Sequence, residues 1–114
     1  MHELSLAQSL MDIVADSAAR EGISRVRQVT AVVGEWSAIV PEVLANCYEM
    51  LAAEAGAIFE GSHLIVVTQP AMGECKACGE RFPAEVTGLL CPTCGSAARL
   101  ITGTELAVDS YEGD

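Results

Sequence analysis

Five stretches of apolar residues predict the main elements of the chain. Over residues 4–21 and again over 41–55, apolar side chains recur every three or four positions, which is the spacing of one buried helix face. Residues 25–33 and 63–69 are rich in β-branched side chains and predict strands. Residues 104–111 alternate apolar and polar side chains and predict a final strand, separated from the others by a long interval.

Two C-x-x-C pairs, Cys75/Cys78 and Cys91/Cys94, occupy that interval, and a glycine follows each pair. A glycine can adopt a positive φ, which directs backbone N–H groups toward the sulfurs. Two such turns face to face provide four thiolates in the tetrahedral arrangement that zinc prefers, and an all-sulfur site is closed and therefore structural. The spacing predicts a zinc ribbon. Disulfides, unlinked thiols and an iron-binding redox ribbon are alternatives that the spacing alone leaves open.

The last strand decides how the ribbon is attached. We expect Leu106, Val108 and Ser110 to share one face of this strand. A lone strand after a separate module would keep unpaired edges, so we expect it to return to the two earlier strands. The predicted fold class is α+β, with two helices packed on a three-stranded sheet in the order α-β-α-β-ribbon-β.

That order predicts two domains. Residues 1–72 and 104–114 would form a discontinuous α/β domain, and residues 73–103 would form the inserted zinc-ribbon domain.

The formal net charge of −10 argues against nucleic acid as a partner, because phosphate backbones are repelled by such a surface. Four thiolates on one Zn²⁺ would make the charge more negative still. Within residues 74–103, the three bases Lys76, Arg81 and Arg99 are matched by three acids, so the ribbon has no basic face. We expect no nucleic-acid binding.

The sequence also predicts a cytoplasmic location. No apolar run approaches the roughly 20 residues that span a bilayer, and the first residues lack the basic and apolar regions of a signal peptide. We therefore expect no membrane segment. Cytoplasmic thiols stay reduced and bind metal, which favours the zinc ribbon over disulfides.

Motifs of common catalytic centres are absent from the sequence. It contains no G-x-x-x-x-G-K-[ST] phosphate loop, no G-x-S-x-G turn and no H-E-x-x-H helix. The two histidines, His2 and His63, lie far from each other in sequence, and neither is near the C-x-x-C pairs. We expect a protein that is not an enzyme.

The first three residues can form a different metal site. The Met1 amine, the His2 amide nitrogen and the His2 Nδ1 form two fused chelate rings in one plane, which suits Ni(II) or Cu(II). Glu3 can add a carboxylate and also face the positive end of the first helix. The site requires a free amine at Met1. Taken alone, the tripeptide is weak support, because any chain begins with some tripeptide.

Taken together, these features resemble the HypA/HybF family of hydrogenase maturation factors, and the resemblance covers essentially the whole chain. The matching residues are Met1-His2-Glu3-Leu4-Ser5-Leu6, Gly34-Glu35, Ser37, Pro41-Glu42-Val43-Leu44, Glu60-Gly61-Ser62, Leu64, Pro70, the four ribbon cysteines with Pro92 and Gly95-Ser96, and Gly103-Thr104-Glu105-Leu106.

The resemblance implies a nickel metallochaperone with two metals. Labile Ni(II) would be bound by Met1, His2 and Glu3, and structural zinc by the cysteine ligands, which are Cys75, Cys78, Cys91 and Cys94. Such proteins deliver nickel to the large subunit of [NiFe]-hydrogenase, and in some organisms to urease, together with a HypB-type GTPase. We expect a monomer or weak dimer. The alternative function is a zinc-ribbon adaptor that binds proteins without transferring nickel.

This sequence departs from the family at the fourth nickel ligand. Some relatives supply a carboxylate from the loop before the second helix, where this chain has Ala38-Ile39-Val40, and others use a ribbon histidine, which this ribbon lacks. Glu3, a backbone atom, water or a second molecule could fill that position.

Overall fold

The computed structural model describes residues 3–85 and 88–114. In chain order, the described elements are α1 (Glu3–Glu21), β1 (Val26–Gly34), α2 (Pro41–Glu54), a 3₁₀ turn (Ala57–Phe59), β2 (His63–Gln69), β3 (Met72–Cys75), β4 (Arg81–Pro83), β5 (Ala98–Thr102) and β6 (Leu106–Gly113).

The first sheet has the strand order β2-β1-β6, with β1 in the centre. Strand β2 runs parallel to β1, because α2 carries the chain back across the sheet between them, and β6 runs antiparallel to β1. The last strand therefore returns across the ribbon to the first sheet. The predicted α+β fold with an inserted ribbon is confirmed.

Both helices pack on the sheet with their apolar faces. Proline at the first turn of α2 and an acid beside it favour the start of that helix. The core residues are Ala7, Leu10, Met11, Val14 and Ala18 from α1, Leu44, Tyr48 and Ala52 from α2, Val26, Val29, Ala31 and Val33 from β1, and Phe59 and Leu64.

Strand β6 departs from the predicted alternation. Thr30 pairs with Ser110 but the next residue, Ala31, pairs with Val108, so Asp109 is an extra residue on β6. This bulge reverses the phase of the strand. Ser110 is therefore exposed, contrary to prediction, and Tyr111 packs against the core, where its hydroxyl lies 2.7 Å from Ser17 Oγ of α1.

The second sheet has the order β4-β3-β5 and is antiparallel throughout. Its own small cluster of buried side chains comprises Cys75, Phe82, Cys91 and Ala98, with Leu89 packed against them. Separate sheets and separate clusters support the proposed division into residues 1–72 with 104–114 and residues 73–103.

The turn that follows β1 holds both connections to the ribbon. A Cβ on Gly34 would lie 2.2 Å from the carbonyl carbon of Gly103, so only glycine fits there. Glu35 Oε1 accepts a hydrogen bond from the Ala71 N–H at 3.0 Å, and the Trp36 N–H donates to the Gly103 carbonyl at 2.6 Å. The chain enters and leaves the ribbon at this one turn.

We expect Tyr48→Phe to destabilise the protein by about 1–3 kcal/mol, because it leaves the buried hydroxyl of Ser62 without its hydrogen-bond partner. Tyr48 is fully buried, and its hydroxyl lies 2.7 Å from Ser62 Oγ, which is 2 % exposed. Tyr111→Phe is the matched control, since water can replace its half-buried hydroxyl at a cost below about 1 kcal/mol. Urea unfolding of the zinc-loaded protein measures both. Equal effects of the two substitutions would contradict this expectation.

Candidate metal centres

The four ribbon cysteines come together at the end of β3. All four sulfurs lie within 4.8 Å of one another. The Sγ–Sγ distances are 3.4 Å from Cys75 to Cys94, 3.7 Å from Cys78 to Cys91 and 3.9 Å from Cys78 to Cys94. Four sulfurs at about 2.3 Å from a tetrahedral Zn²⁺ lie about 3.8 Å apart. The donor set and its spacing therefore fit zinc.

The two C-x-x-C turns have the same backbone geometry. The Gly79 N–H donates to the Cys75 carbonyl at 3.0 Å, and the Gly95 N–H donates to the Cys91 carbonyl at 2.9 Å. Both glycines have a positive φ, 77° and 76°. This conformation is accessible to glycine with little strain, and it folds each pair of sulfurs toward the same side.

Backbone N–H groups stabilise the thiolate form in the first turn. The N–H groups of Cys78 and Ala77 point at Cys75 Sγ, at 3.4 and 3.3 Å. They lower the pKa of the Cys75 thiol to about 6. In the second turn, hydrogen bonds from the side chain and backbone of Ser96 lower the pKa of Cys94. The thiolate is the form that binds zinc.

The pKa of Cys78 reflects the crowding of the four sulfurs. The backbone N–H of Glu80 acts to lower the pKa of Cys78, but the sulfurs of Cys75 and Cys91 outweigh it and the pKa rises to about 12. Crowded thiolates repel one another, and a divalent ion removes that repulsion. Without an ion, the cluster keeps some of its thiols protonated.

The candidate nickel site is described only at Glu3, since Met1 and His2 lie outside the described residues. Glu3 Oε2 accepts a hydrogen bond from the Val40 N–H at 3.2 Å. Val40 is the N-cap of α2 and has no side-chain cap of its own. The Glu3 carboxylate thus lies at the positive end of α2, and Glu3 itself belongs to the first turn of α1. The sequence predicted an interaction of Glu3 with the start of the first helix but did not predict its hydrogen bond at the start of α2.

Two further side chains that can ligate metals lie elsewhere. His63 is exposed at the start of β2, and its Nδ1 lies 3.3 Å from Glu49 Oε2. Cys47 is half-buried on α2 and packs against the core, as expected of a structural thiol. Within residues 3–85 and 88–114, the ribbon cysteines are the one cluster with the geometry of a metal site.

The family described as "Hydrogenase/urease nickel incorporation, metallochaperone, hypA" matches residues 1–113. The chain belongs to the HypA family. Among its relatives, the hydrogenase maturation factor HypA of Dechloromonas aromatica is 39 % identical over 113 residues, which cover 98 % of each chain. HypA of Geobacter metallireducens is 37 % identical over 113 residues, again 98 % of each chain.

Solved HypA structures share the fold. The solution structure of the Ni metallochaperone HypA from Helicobacter pylori matches with a TM-score of 0.74 at 25 % identity, covering 99 % of this chain and 97 % of that one. A second HypA solution structure matches with a TM-score of 0.77 at 25 % identity, with 99 % and 96 % coverage.

Membership in the HypA family confirms the predicted role in nickel incorporation for hydrogenase maturation. The predicted metals, structural zinc and nickel, agree with the four-cysteine site and with the role of the family. Among the described residues, no helix is both long and apolar enough to cross a membrane.

We expect Cys91→Ser to lower the zinc content and unfold the ribbon while the first sheet stays folded. Apart from the sulfurs, the buried apolar side chains among the described residues of the ribbon are Phe82 and Ala98, which is too little apolar area to hold it without metal. Cys47→Ser is the matched control and should retain zinc. Elemental analysis and amide NMR spectra measure the two effects. Full zinc content in the Cys91→Ser protein would argue against this assignment.

Proposed function

We propose that this chain is a nickel metallochaperone that binds Ni(II) at its N-terminus and delivers it for maturation of [NiFe]-hydrogenase. The observation that carries the proposal is the family match, which begins at residue 1 and so includes Met1-His2-Glu3. In this proposal the Met1 amine and two nitrogens of His2 bind nickel, and Glu3 supplies a carboxylate.

A chelate at a chain terminus suits a carrier because it can release its ion. The α-amine and imidazole have unperturbed pKa values of about 7.7–8 and about 6.5, so protons compete with nickel as pH falls. Binding should therefore weaken progressively below about pH 7. A closed four-sulfur site would not exchange its ion so readily, which supports separate roles for the two metals.

The zinc ligands in this proposal are Cys75, Cys78, Cys91 and Cys94. Their sulfur separations support the assignment, and the zinc stabilises the ribbon.

The proposed partners come from the resemblance to the HypA/HybF family, and the absence of a nucleotide-binding motif is consistent with them. The sequence contains no phosphate-binding loop, so any nucleotide-driven step belongs to another protein, for which a HypB-type GTPase is the candidate. The large subunit of [NiFe]-hydrogenase is the proposed recipient, and urease a second one in some organisms. We propose that the protein acts in the cytoplasm and is not itself an enzyme.

We expect His2→Ala to abolish stoichiometric nickel binding while zinc content is unchanged, because it removes the imidazole of the chelate. His63→Ala is the matched control, since it deletes the other histidine, which lies on β2 beside Glu49. Calorimetric titration with Ni(II) on tag-free protein measures both.

Extension of the N-terminus by one residue should have the same effect, because it converts the Met1 amine into an amide. Unchanged nickel affinity in both altered proteins would leave the zinc-ribbon adaptor as the better account of the chain.

Glu3→Gln separates the two roles of Glu3. The amide oxygen can still accept from the Val40 N–H, so we expect near-normal stability, but nickel affinity should fall because the negative charge is lost. Glu3→Ala should lower both stability and affinity. Thermal unfolding of nickel-free protein and nickel titration provide the two measurements. Wild-type affinity in Glu3→Gln would show that Glu3 caps α2 without binding the ion.

A further inference from the structure

The two edges of the first sheet differ in how well they are protected. Strand β6 carries acids, including Asp109 and Glu112, and pairs irregularly with β1. Charges and bulges of this kind discourage further strand pairing. Strand β2 pairs with β1 in unbroken register over His63–Gln69 and carries neither acid, lysine, arginine nor proline. An edge strand of this length and composition is open to a further strand.

The outward hydrogen-bonding groups of β2 can be assigned by its period of two. The Gln69 carbonyl accepts from the Glu35 N–H at 2.9 Å, so Gln69 faces β1. Leu64, Val66 and Thr68 therefore direct their N–H and C=O groups away from the sheet. In the part of the chain that the structure describes, none of these groups has a hydrogen-bond partner.

The sheet face opposite the helices carries apolar side chains beside this edge. Ile65 and Val67 are 43 % and 47 % exposed. Their register partners on β1 are Thr30 and Val32. This strip of four side chains is uncharged although the whole chain has a net charge of −10.

We propose that β2 pairs with β2 of a second copy of this chain, antiparallel and with the two-fold axis at Val66. Leu64 of one copy would then form a hydrogen-bonded pair with Thr68 of the other, and Val66 would pair with Val66. All the outward groups of the strand are satisfied by this one register. The product is a continuous six-stranded sheet.

The same register brings the exposed apolar side chains together. Ile65 of one copy lies opposite Val67 of the other in a non-hydrogen-bonded pair, where side chains approach most closely. His63 lies opposite Gln69, so no like charges face each other within the strand pair. On the sheet face opposite the helices, pairing about Val66 thus places apolar side chains opposite apolar ones and polar side chains opposite polar ones.

The absence of carboxylates from the β2 edge favours a second copy over a basic peptide. A basic segment would be attracted to the acidic protein, but it would find no carboxylate on β2 or on the strip beside it. The nearest acid in contact with the strand is Glu49, which already pairs with His63. A second copy of β2 is equally uncharged, so the two edges can pair without bringing like charges together.

The association should be weak and salt-dependent. Two chains of net charge −10 repel each other, and salt screens that repulsion over about 8 Å at physiological ionic strength. The antiparallel arrangement places the ribbons of the two copies at opposite ends of the joined sheet. The strand pairing uses none of the residues of the candidate nickel site, so the proposal does not depend on nickel binding.

Sedimentation equilibrium of the zinc-loaded wild-type chain tests the association. We expect a mass that rises with concentration toward twice that of one chain, and tighter association at high salt. Ile65→Lys with Val67→Lys should weaken it at least about tenfold. Ala107→Lys is the matched control, because it adds a lysine in the same row of the sheet at the other edge, and it should associate like the wild type.

A charge swap tests the register. An equimolar mixture of the double-lysine protein with Ile65→Glu/Val67→Glu should form a heterodimer, since each lysine would face a glutamate. A wild type that is monomeric at every concentration and salt, double-lysine protein that still self-associates, or a mixture that stays monomeric would each overturn the proposal.

Hydrogen exchange provides a measurement that needs no variant. Raising the protein concentration should slow exchange at the outward amides of Leu64, Val66 and Thr68 and leave Ile65 and Val67, which already bond to β1, unchanged. Protection that does not alternate along β2 would contradict the strand pairing.

Discussion

The close approach of two backbone segments at Gly34 and Gly103 is the constraint on which the arrangement of the two parts depends. No side chain fits at this junction, since a Cβ on Gly34 would lie 2.2 Å from the carbonyl carbon of Gly103, and a Cβ on Gly103 would lie 2.7 Å from the Cα of Ala71. The hydrogen bonds from Glu35 and Trp36 hold the same junction. The ribbon is therefore attached by two short segments that contact the turn after β1, and not by a flexible linker.

The two parts of the molecule are stabilised in different ways. The first sheet and its helices enclose a conventional apolar core that includes Leu10, Leu44 and Tyr48. The ribbon replaces such a core with sulfur and zinc, because few side chains are buried among its described residues. The acids that produce the net charge of −10 lie outside the ribbon segment, where bases and acids balance.

The sequence was informative where the signal is local. The helical period, the β-branched run at 63–69 and the cysteine spacing predicted the elements of the first sheet and the four-sulfur cluster. Contacts between distant residues were not predictable. The bulge at Asp109 depends on the pairing of β6 with β1, and the bond from Val40 to Glu3 depends on both helices starting at the same end of the sheet. The short strands of the ribbon lack any period of their own.

The return of β6 to β1 has a consequence for biosynthesis. The strand that completes the first sheet leaves the ribosome after all four cysteines have been made. Until then β1 has one open edge, and the helices cover an incomplete sheet. Helix α1 and strand β1 are synthesised before the ribbon, yet the sheet to which they belong is completed only after the ribbon has been made.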